Sequence, residues 1–410
     1  MLAALLPGLV PLAAAQDRWV ATWAASPQAP RFGPPRPAAP GGPAPANQPP
    51  PPGFNDQTIR MVVHTSIGGR RARVQLSNAF GATPLKIGAA HVALRDKESS
   101  IVPASDRALT FSGQASFTIP PGAEIISDPV DLDVPKLGDL VISVYVPGEV
   151  ATPTIHGTGL HTTYVAKSDL TGATSIADAT KSQAWYLISS VDVMAAPNTK
   201  LIVAYGDSIT DGATSTPDTD SSWPSQLAQR LLGNKSTADV AVVNEGISGN
   251  RVLSDGAGIS ALARFDRDVL AQPGVQWVVF MEGINDIGLG ARSTGPDAVT
   301  ADALIAAHKQ IIERAHMRGI KVIGATLTPF AGAAYYSDQG EAIRTALNDW
   351  IRNGKAYDAV IDFDAATRDP ENPKQIRPAY NIRDHLHPND AGYKAMADAF
   401  ELSMFGKGGR

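Results

Sequence analysis

The sequence predicts an α/β protein in which a parallel sheet, covered by helices, follows an all-β domain of the sandwich or jelly-roll type. Before Pro197 the chain has short runs of alternating or β-branched residues, separated by turn residues and without helical periodicity. After Pro197, almost wholly apolar runs alternate with amphipathic stretches of helical spacing. Apolar strands that alternate with helices are typical of parallel sheets buried on both faces.

The composition is that of a globular protein long enough for two domains. Of its 410 residues, 43% are hydrophobic and 18% are charged, and the formal net charge is −5. A mildly acidic chain without a basic patch is not expected to bind nucleic acid. The chain has no cysteine, which excludes disulfides, thiolate metal ligands and a cysteine nucleophile.

Residues 1–15 are predicted to be a signal peptide. They read MLAALLPGLVPLAAA and are followed by a polar stretch. A membrane-spanning helix needs about 20 apolar residues, so no stable membrane insertion is expected. The run has the length of a signal's apolar region and ends in small residues before Gln16, although no Lys or Arg precedes Arg18. We therefore expect a secreted or periplasmic protein.

Residues 16–57 are interpreted as an N-terminal segment with a proline-rich loop. Positions 27 to 52 consist largely of Pro, Ala and Gly, which cannot build helix or sheet ladders and predict an extended surface loop. Ahead of this loop, WVATWAAS around Trp19 is predicted to add a strand to one of the two domains.

Residues 58–195 are predicted to form the all-β domain. Their short runs alternate or are rich in β-branched residues, as in a sandwich or jelly roll. The runs are TIRMVVHTSI, ARVQLSNAF, IGAAHVAL, ASFTIP, LVISVYVP and HTTYVA.

Residues 198–406 are predicted to form the parallel sheet with its helices. The strand candidates, which we expect in a doubly wound order, are KLIVAYG, DVAVVNEG, VQWVVFMEG, KVIGATLTP and DAVIDF. In such sheets, ligands bind at the carboxyl ends of the strands.

Polar residues and glycine-rich turns follow the first three of these strands. Ser208 follows the first strand, a turn containing Gly246 and Gly249 follows the second, and Asn285 follows the third. A serine nucleophile needs hydrogen-bond donors aimed at the oxyanion that develops on its substrate. The backbone N–H groups of Ser208 and Gly249 and the side-chain amide of Asn285 suit that task.

The stretch RDHLHPNDAGY before the last helix supplies a general base for the serine. A serine hydroxyl needs an adjacent base and a third group that orients this base. His387 is the predicted base and Asp384, three residues earlier, the predicted orienting acid. His385 is the competing base, ranked second because it directly follows Asp384 and turns less easily onto that carboxylate.

The four blocks GDSITDG, NEGISGN, GIND and DHLHP resemble, in this order, those of the SGNH (GDSL-type) hydrolase superfamily. The resemblance covers Lys200 to about Phe405 and implies a flavodoxin-like three-layer domain. Ile209 stands where the name-giving motif has Leu, an apolar exchange of small consequence.

The same resemblance implies a role for five of these residues. Ser208 would be the nucleophile, Gly249 and Asn285 oxyanion donors, and His387 with Asp384 the base–acid pair. The family's spacing selects Gly249 over Gly246. The β domain, with WVATWAASP and RVQLSNAFG, also resembles the N-terminal part of two-domain SGNH proteins grouped with xylan-linked esterases, which implies small acyl esters on carbohydrate.

The expected function is therefore that of a cofactor-independent serine esterase. It would act through an acyl-enzyme on small-molecule or carbohydrate esters, acetyl esters above all. The alternatives are a general carboxylesterase or lipase on lipid-like esters, a transferase that passes the acyl group to a sugar hydroxyl, and a carbohydrate-binding protein with a vestigial hydrolase domain. The sequence leaves the oligomeric state and the orientation of the domains open.

Simpler roles are expected for the other polar and aromatic residues of the sequence. Asp207 is interpreted as an acceptor that braces its loop, and Asp286 as part of an ordinary turn. His385 and His387 lack a convincing third ligand, so no metal is expected. The remaining candidates are assigned to the surface or a boundary (His308, His316), to the β domain without a catalytic role (His64, His91, His156, His161) and to the core (Trp223, Trp277).

Overall fold

The computed structural model describes residues 18–30, 53–290 and 298–406. The predicted signal peptide and most of the proline-rich loop lie outside these ranges, and both remain predictions. The described strands up to residue 195 are β1 (Arg18–Ala24), β2 (Gln57–His64), β3 (Gly69–Ser77), β4 (Leu85–Ile87), β5 (Ala89–Leu94), β6 (Arg107–Ala108), β7 (Phe117–Ile119), β8 (Glu124–Ile126), β9 (Val130–Val134), β10 (Asp139–Val146), β11 (Ile155–His156), β12 (Thr163–Lys167), β13 (Thr180–Ser182), β14 (Trp185–Tyr186) and β15 (Ile188–Ala195).

These strands form the predicted all-β domain, and their pairings are antiparallel. One sheet has the order β1-β15-β3-β8, with β9 also paired to β3, and a second has the order β13-β12-β2-β10-β5-β6. The central strands bury alternating apolar side chains in one common core, for example Val74 and Val191 from the first sheet and Met61 and Ile142 from the second. The all-β prediction is confirmed.

The strand predicted around Trp19 belongs to the first sheet of this domain. β1 pairs antiparallel with β15, with Trp19 opposite Met194. Trp23 packs edge-on against Trp185, with ring centroids 4.9 Å apart. On its other side β1 approaches the second domain, where the Ala21 N–H donates to the Pro273 carbonyl at 3.1 Å. The strand therefore lies at the junction of the two domains.

The C-terminal part of the chain forms the predicted parallel sheet. Its strands are β16 (Lys200–Gly206), β17 (Val240–Gly246), β18 (Val275–Met281), β19 (Lys321–Ala325) and β20 (Ala359–Ile361). Their order is β17-β16-β18-β19-β20, and each pair is parallel. This order reverses direction at β16, so ligands are expected near the end of that strand.

Helices cover this sheet. They are α1 (Ser208–Asp211), α2 (Trp223–Leu232), α3 (Ala261–Phe265), α4 (Ile284–Gly290), α5 (Ala301–His316), α6 (Asp338–Asn353), α7 (Phe363–Thr367) and α8 (Asp390–Asp398). α2 packs with α8, while α5 packs with α6 and α3. The α/β prediction with a flavodoxin-like C-terminal domain is confirmed.

Side-chain caps fix where several of these helices begin. The side chains of Thr300, Ser337 and Asn389 accept hydrogen bonds from backbone N–H groups in the first turns of α5, α6 and α8. Such caps satisfy donors that the helix itself leaves without partners. The polar residue ahead of each of these three helices therefore helps to set where the helix begins.

The prediction for His308 is wrong, since it is fully buried. It lies on the inner face of α5, where the Tyr357 hydroxyl contacts its Nδ1 at 2.6 Å and the Glu282 carbonyl its Nε2 at 3.2 Å. Burial lowers the pKa of His308 to about 4, so the ring is neutral at pH 7. The helical pattern could not reveal this site, because both partners come from distant segments.

One hydrophobic cluster runs through both domains, from Val20 and Trp23 to Val242 and Phe280. Trp223 and Trp277 lie in it, as predicted for core residues. Within the described ranges, no helix is both long and apolar enough to cross a bilayer.

Candidate active site

Ser208 sits at the point where β16 turns into α1. Asp207 caps this short helix, and its carboxylate accepts a hydrogen bond from the Ile209 N–H at 2.9 Å. The turn is tight, because a Cβ at Gly206 would lie 2.3 Å from the Met281 carbonyl oxygen. Glycine at this position lets the chain place Ser208 at the sheet edge, where its side chain is nearly buried.

His387 lies between Ser208 and Asp384. Its Nε2 is 2.8 Å from the Ser208 Oγ, and its Nδ1 is 2.5 Å from the Asp384 Oδ2. The two ring nitrogens therefore face the hydroxyl and the carboxylate respectively. This is the spatial arrangement of a serine, a general base and an orienting acid.

Asp384 is held in place by its own local turn. Its Oδ1 accepts hydrogen bonds from the backbone N–H groups of Leu386 and His387, at 3.0 and 2.9 Å. Burial favours the neutral acid, but these bonds and the His387 ring outweigh it and lower the pKa of Asp384 to about 2. The acid is therefore a carboxylate throughout the neutral pH range.

His385, the competing base, points elsewhere. Its backbone is in the left-handed region, with φ 59°. Its ring packs against Gly332, where an added Cβ would lie 2.8 Å from the imidazole Cγ. The direct contact to the serine is made by His387.

Two of the predicted oxyanion donors, Gly249 in the loop after β17 and Asn285 in the first turn of α4, lie in segments that are tied together. Gly249 adopts φ 79°, a conformation that glycine reaches at little cost. The Asn285 Nδ2 donates to the carbonyl of Asn250, the residue directly after Gly249, at 2.9 Å. This bond fixes the position of the Asn285 side-chain amide. A second N–H remains on that amide group.

Asp286 lies in the first turn of α4 and is buried. Its two carboxylate oxygens accept hydrogen bonds from the backbone N–H groups of Val252 and Leu253, at 2.8 and 2.9 Å. It therefore holds the loop that follows Gly249. A turn residue was predicted, and the structure adds this bracing role.

Asp207 combines a bracing role with an unusual environment. It is fully buried, and its Oδ2 has no hydrogen-bond partner among the described residues. Burial, assisted by the nearby carboxylates of Asp286 and Asp211, raises the pKa of Asp207 to about 7, against a hydrogen bond from Ile209. The acid beside the serine is thus close to half-protonated at neutral pH.

Tyr335 covers one side of the site. Its ring packs on Gly288, where an added Cβ would overlap it at 2.2 Å, and its hydroxyl is 3.4 Å from the Asn285 Oδ1. The ring narrows the space beside Asn285.

Two site-forming residues were missed from the sequence. Asp211, at the end of α1, accepts hydrogen bonds from the backbone N–H and the hydroxyl of Ser248, at 2.8 and 2.6 Å. Its other oxygen is 3.0 Å from the Nε2 of His156 in the β domain. The block GDSITDG contains Asp211, but a partner in another domain leaves no local signal.

A cluster of His64, Asp139 and Asp220 has donor atoms close enough together to share a metal ion. Each carboxylate is already paired with a cationic group, Asp139 with Arg95 and Asp220 with His161. These ion pairs account for the closeness of the two carboxylates, so no metal role follows from the geometry of the cluster.

A cavity of about 70 Å³ lies between the domains. His156, His161, Trp185 and Asp211 are among the residues that line it, and Ser208 is not. The cavity is therefore separate from the serine site.

Comparisons with known proteins concern the C-terminal domain. Residues 204–395 match the GDSL-like Lipase/Acylhydrolase family. No curated protein matches the chain. Among solved structures, a catalytic mutant of an acetylxylan esterase from Geobacillus stearothermophilus is 24% identical, covers 51% of this chain and 95% of its own, and gives a TM-score of 0.39. A GDSL-like lipase from Bacteroides thetaiotaomicron is 23% identical, covers 50% of this chain and 87% of its own, and gives a TM-score of 0.37.

Proposed function

We propose that this chain, a carboxylic ester hydrolase with a C-terminal domain of the GDSL-like lipase/acylhydrolase (SGNH) family, cleaves its substrates through an acyl-enzyme on Ser208. The observation that carries the proposal is the continuous path of hydrogen bonds from Ser208 through His387 to Asp384. A serine hydroxyl is a weak nucleophile unless a base removes its proton as it attacks.

In the proposed reaction, the Ser208 Oγ attacks the ester carbonyl while the His387 Nε2 takes its proton. Asp384 stabilises the imidazolium that forms. The tetrahedral intermediate then expels the alcohol, which receives the proton from His387. A water molecule, deprotonated by the same ring, attacks the acyl-enzyme and releases the acid and the free serine.

The oxyanion of each tetrahedral intermediate would be held by three donors. These are the backbone N–H groups of Ser208 and Gly249 and the second N–H of the Asn285 amide. Removing one such donor typically lowers kcat by about 10²–10³-fold, so Asn285→Ala tests this assignment most simply.

The proposed substrates are esters of small acyl groups, acetyl above all, with either a simple alcohol or a carbohydrate. The support is steric: Ser208 is 5% exposed, and Tyr335 packs over the adjoining Gly288. Both features favour a short acyl group over a long one. The family match supports ester hydrolysis and does not identify the alcohol part of the substrate.

The test compares wild type with Ser208→Ala on p-nitrophenyl acetate, butyrate and octanoate and on acetylated xylan. We expect wild-type activity to fall from acetate to octanoate and the variant to lose at least about 10³-fold in kcat. A preference for octanoate would favour a lipase instead. Equal behaviour of the two proteins on every substrate would contradict the serine mechanism and favour a binding protein.

A further inference from the structure

The β domain contributes a buried histidine to the surroundings of the serine site. His156 ends β11 and is 3% exposed. Its Nε2 lies 3.0 Å from the Asp211 Oδ1, and its Nδ1 lies 2.9 Å from the Ser26 carbonyl oxygen. Both partners are hydrogen-bond acceptors when Asp211 is ionised, so both ring nitrogens must donate. The ring is then an imidazolium paired with the carboxylate.

Asp211 connects His156 to the segment Ser248, Gly249 and Asn250 after β17, called the oxyanion loop here because it contains the proposed donor Gly249. Its second oxygen accepts hydrogen bonds from the N–H and the hydroxyl of Ser248, the residue directly before Gly249. Asp211 also lies only three residues after Ser208, at the other end of α1. One carboxylate therefore links the helix that begins with the nucleophile to the loop that holds a proposed oxyanion donor.

A second residue of the β domain reaches the same loop. The Thr158 hydroxyl donates to the Ser248 Oγ at 2.9 Å. His156 and Thr158 are two positions apart, so one short segment of the β domain supports Ser248 through two routes. The contacts are short and are buried or partly buried, as a rigid support for a catalytic loop requires.

Charge gives His156 a second effect. An unpaired carboxylate at Asp211 would oppose the negative charge that develops on the substrate oxygen nearby. The imidazolium offsets that carboxylate in a site where little water screens it. Burial disfavours the charged ring, but Asp211 outweighs burial and the pKa of His156 is raised above its usual value.

We propose that His156 is a positioning residue of the serine site, which acts through Asp211 and Ser248 on the orientation of the Gly249 N–H. The proposal rests on the proposed function and gives the β domain a part in it. It predicts that substitution of His156 weakens stabilisation of the transition state and hardly changes substrate binding, because the oxyanion exists only during the reaction.

The test measures kcat and KM on p-nitrophenyl acetate for His156→Ala and His156→Gln in the full chain. We expect kcat to fall by about 10–100-fold in the alanine variant, with KM within about twofold of wild type. Glutamine can keep one hydrogen bond to Asp211 but not the charge, so its kcat should lie between those of the alanine variant and wild type.

His161→Gln is the matched control. His161 is also a buried histidine of the β domain, and its Nε2 bonds Asp220 of the C-terminal part at 2.9 Å. Within the part of the chain that the structure describes, this bond leads to Asp220 and none leads from His161 to Asp211 or Ser248. Its substitution should therefore lower stability while leaving kcat within about twofold of wild type.

Each result has a defined reading. An unchanged kcat in His156→Ala, or an equal fall in His161→Gln, would overturn the proposal. If the alanine variant does not fold, His156→Gln decides alone: a several-fold lower kcat than His161→Gln supports the proposal, and an equal kcat overturns it. Loss of the proposed function itself would be distinguishable, because wild type would then hydrolyse no ester.

Discussion

At the scale of single residues, the site depends on how each carboxylate is surrounded. Asp384 receives two backbone N–H donors and the His387 ring, which stabilise its charge. Asp207 is fully buried and has one oxygen without a partner among the described residues, which destabilises its charge. The pKa of Asp384 is therefore lowered and that of Asp207 raised, although both acids belong to the same site.

The environment of Asp207 predicts a pH-dependent stability. Its pKa rises from 3.8 to about 7 on folding, so the folded chain holds a proton there that the unfolded chain releases. Stability from this group is fully present below pH 3.8 and is lost as the pH rises to about 7. The loss is on the order of 4 kcal/mol, taken as an upper bound.

Asp207→Asn should remove this dependence, because an amide has the same shape and does not titrate. Urea unfolding of both proteins at pH 4.5, 6 and 8 measures it. Between the lowest and the highest pH, the free energy of unfolding of the variant should rise by about 2–4 kcal/mol relative to that of wild type. Parallel stability curves would mean that Asp207 is ionised in the folded chain at every pH tested.

At the scale of elements, a buried arginine joins the strand ends to the site. Arg264 of α3 donates to the carbonyls of Gly206 and Glu245, where β16 and β17 end, at 3.0 and 2.7 Å. It also bonds Asn250 in the oxyanion loop and Ser26 in the N-terminal segment, at 2.9 and 2.8 Å. One side chain thus satisfies acceptors from four separate segments.

Arg264→Met should therefore be strongly destabilising. Methionine fills part of the volume but leaves these acceptors and the Asp268 carboxylate without that donor, and breaking a buried ion pair costs about 3–5 kcal/mol. The control is Lys394→Met, since Lys394 is an exposed partner of Asp398 and should change the free energy of unfolding by less than about 1 kcal/mol. Urea unfolding compares them, and equal losses would refute the role given to Arg264.

Features set by local sequence could be predicted, and features set by distant partners could not. The parallel sheet was predictable because each strand is a local apolar run, and Ser208, His387 and Asp384 follow from motif order and from the serine's need for a base. His156 and Arg264 were not predictable, because their partners are distant in sequence. The burial of His308 was missed for the same reason.

At the scale of the whole molecule, the two domains form a continuous structure. The hydrophobic cluster extends from Val20 and Trp23 into the parallel sheet. The buried bonds of Ser26 and His156 cross the same junction, to Glu245 at 2.6 Å and to Asp211 at 3.0 Å. The β domain is therefore part of the site's support.

This continuity predicts that both domains unfold in one transition. The described α-helices all lie after residue 207, whereas the six tryptophans are divided equally between the two domains. Helical circular dichroism and tryptophan fluorescence should therefore give the same midpoint in urea. A two-step fluorescence curve, with only one step seen in the helical signal, would mean that the domains unfold independently.

The central claim is that Ser208 is the nucleophile, and covalent labelling tests it most directly. The chain is treated with diethyl p-nitrophenyl phosphate, which phosphorylates an activated serine, and the label is located by peptide mass mapping. We predict one adduct, on Ser208, with esterase activity lost in proportion to labelling and no adduct in Ser208→Ala. Full activity after stoichiometric labelling of Ser208, or a label on another residue that accounts for the lost activity, would contradict the account.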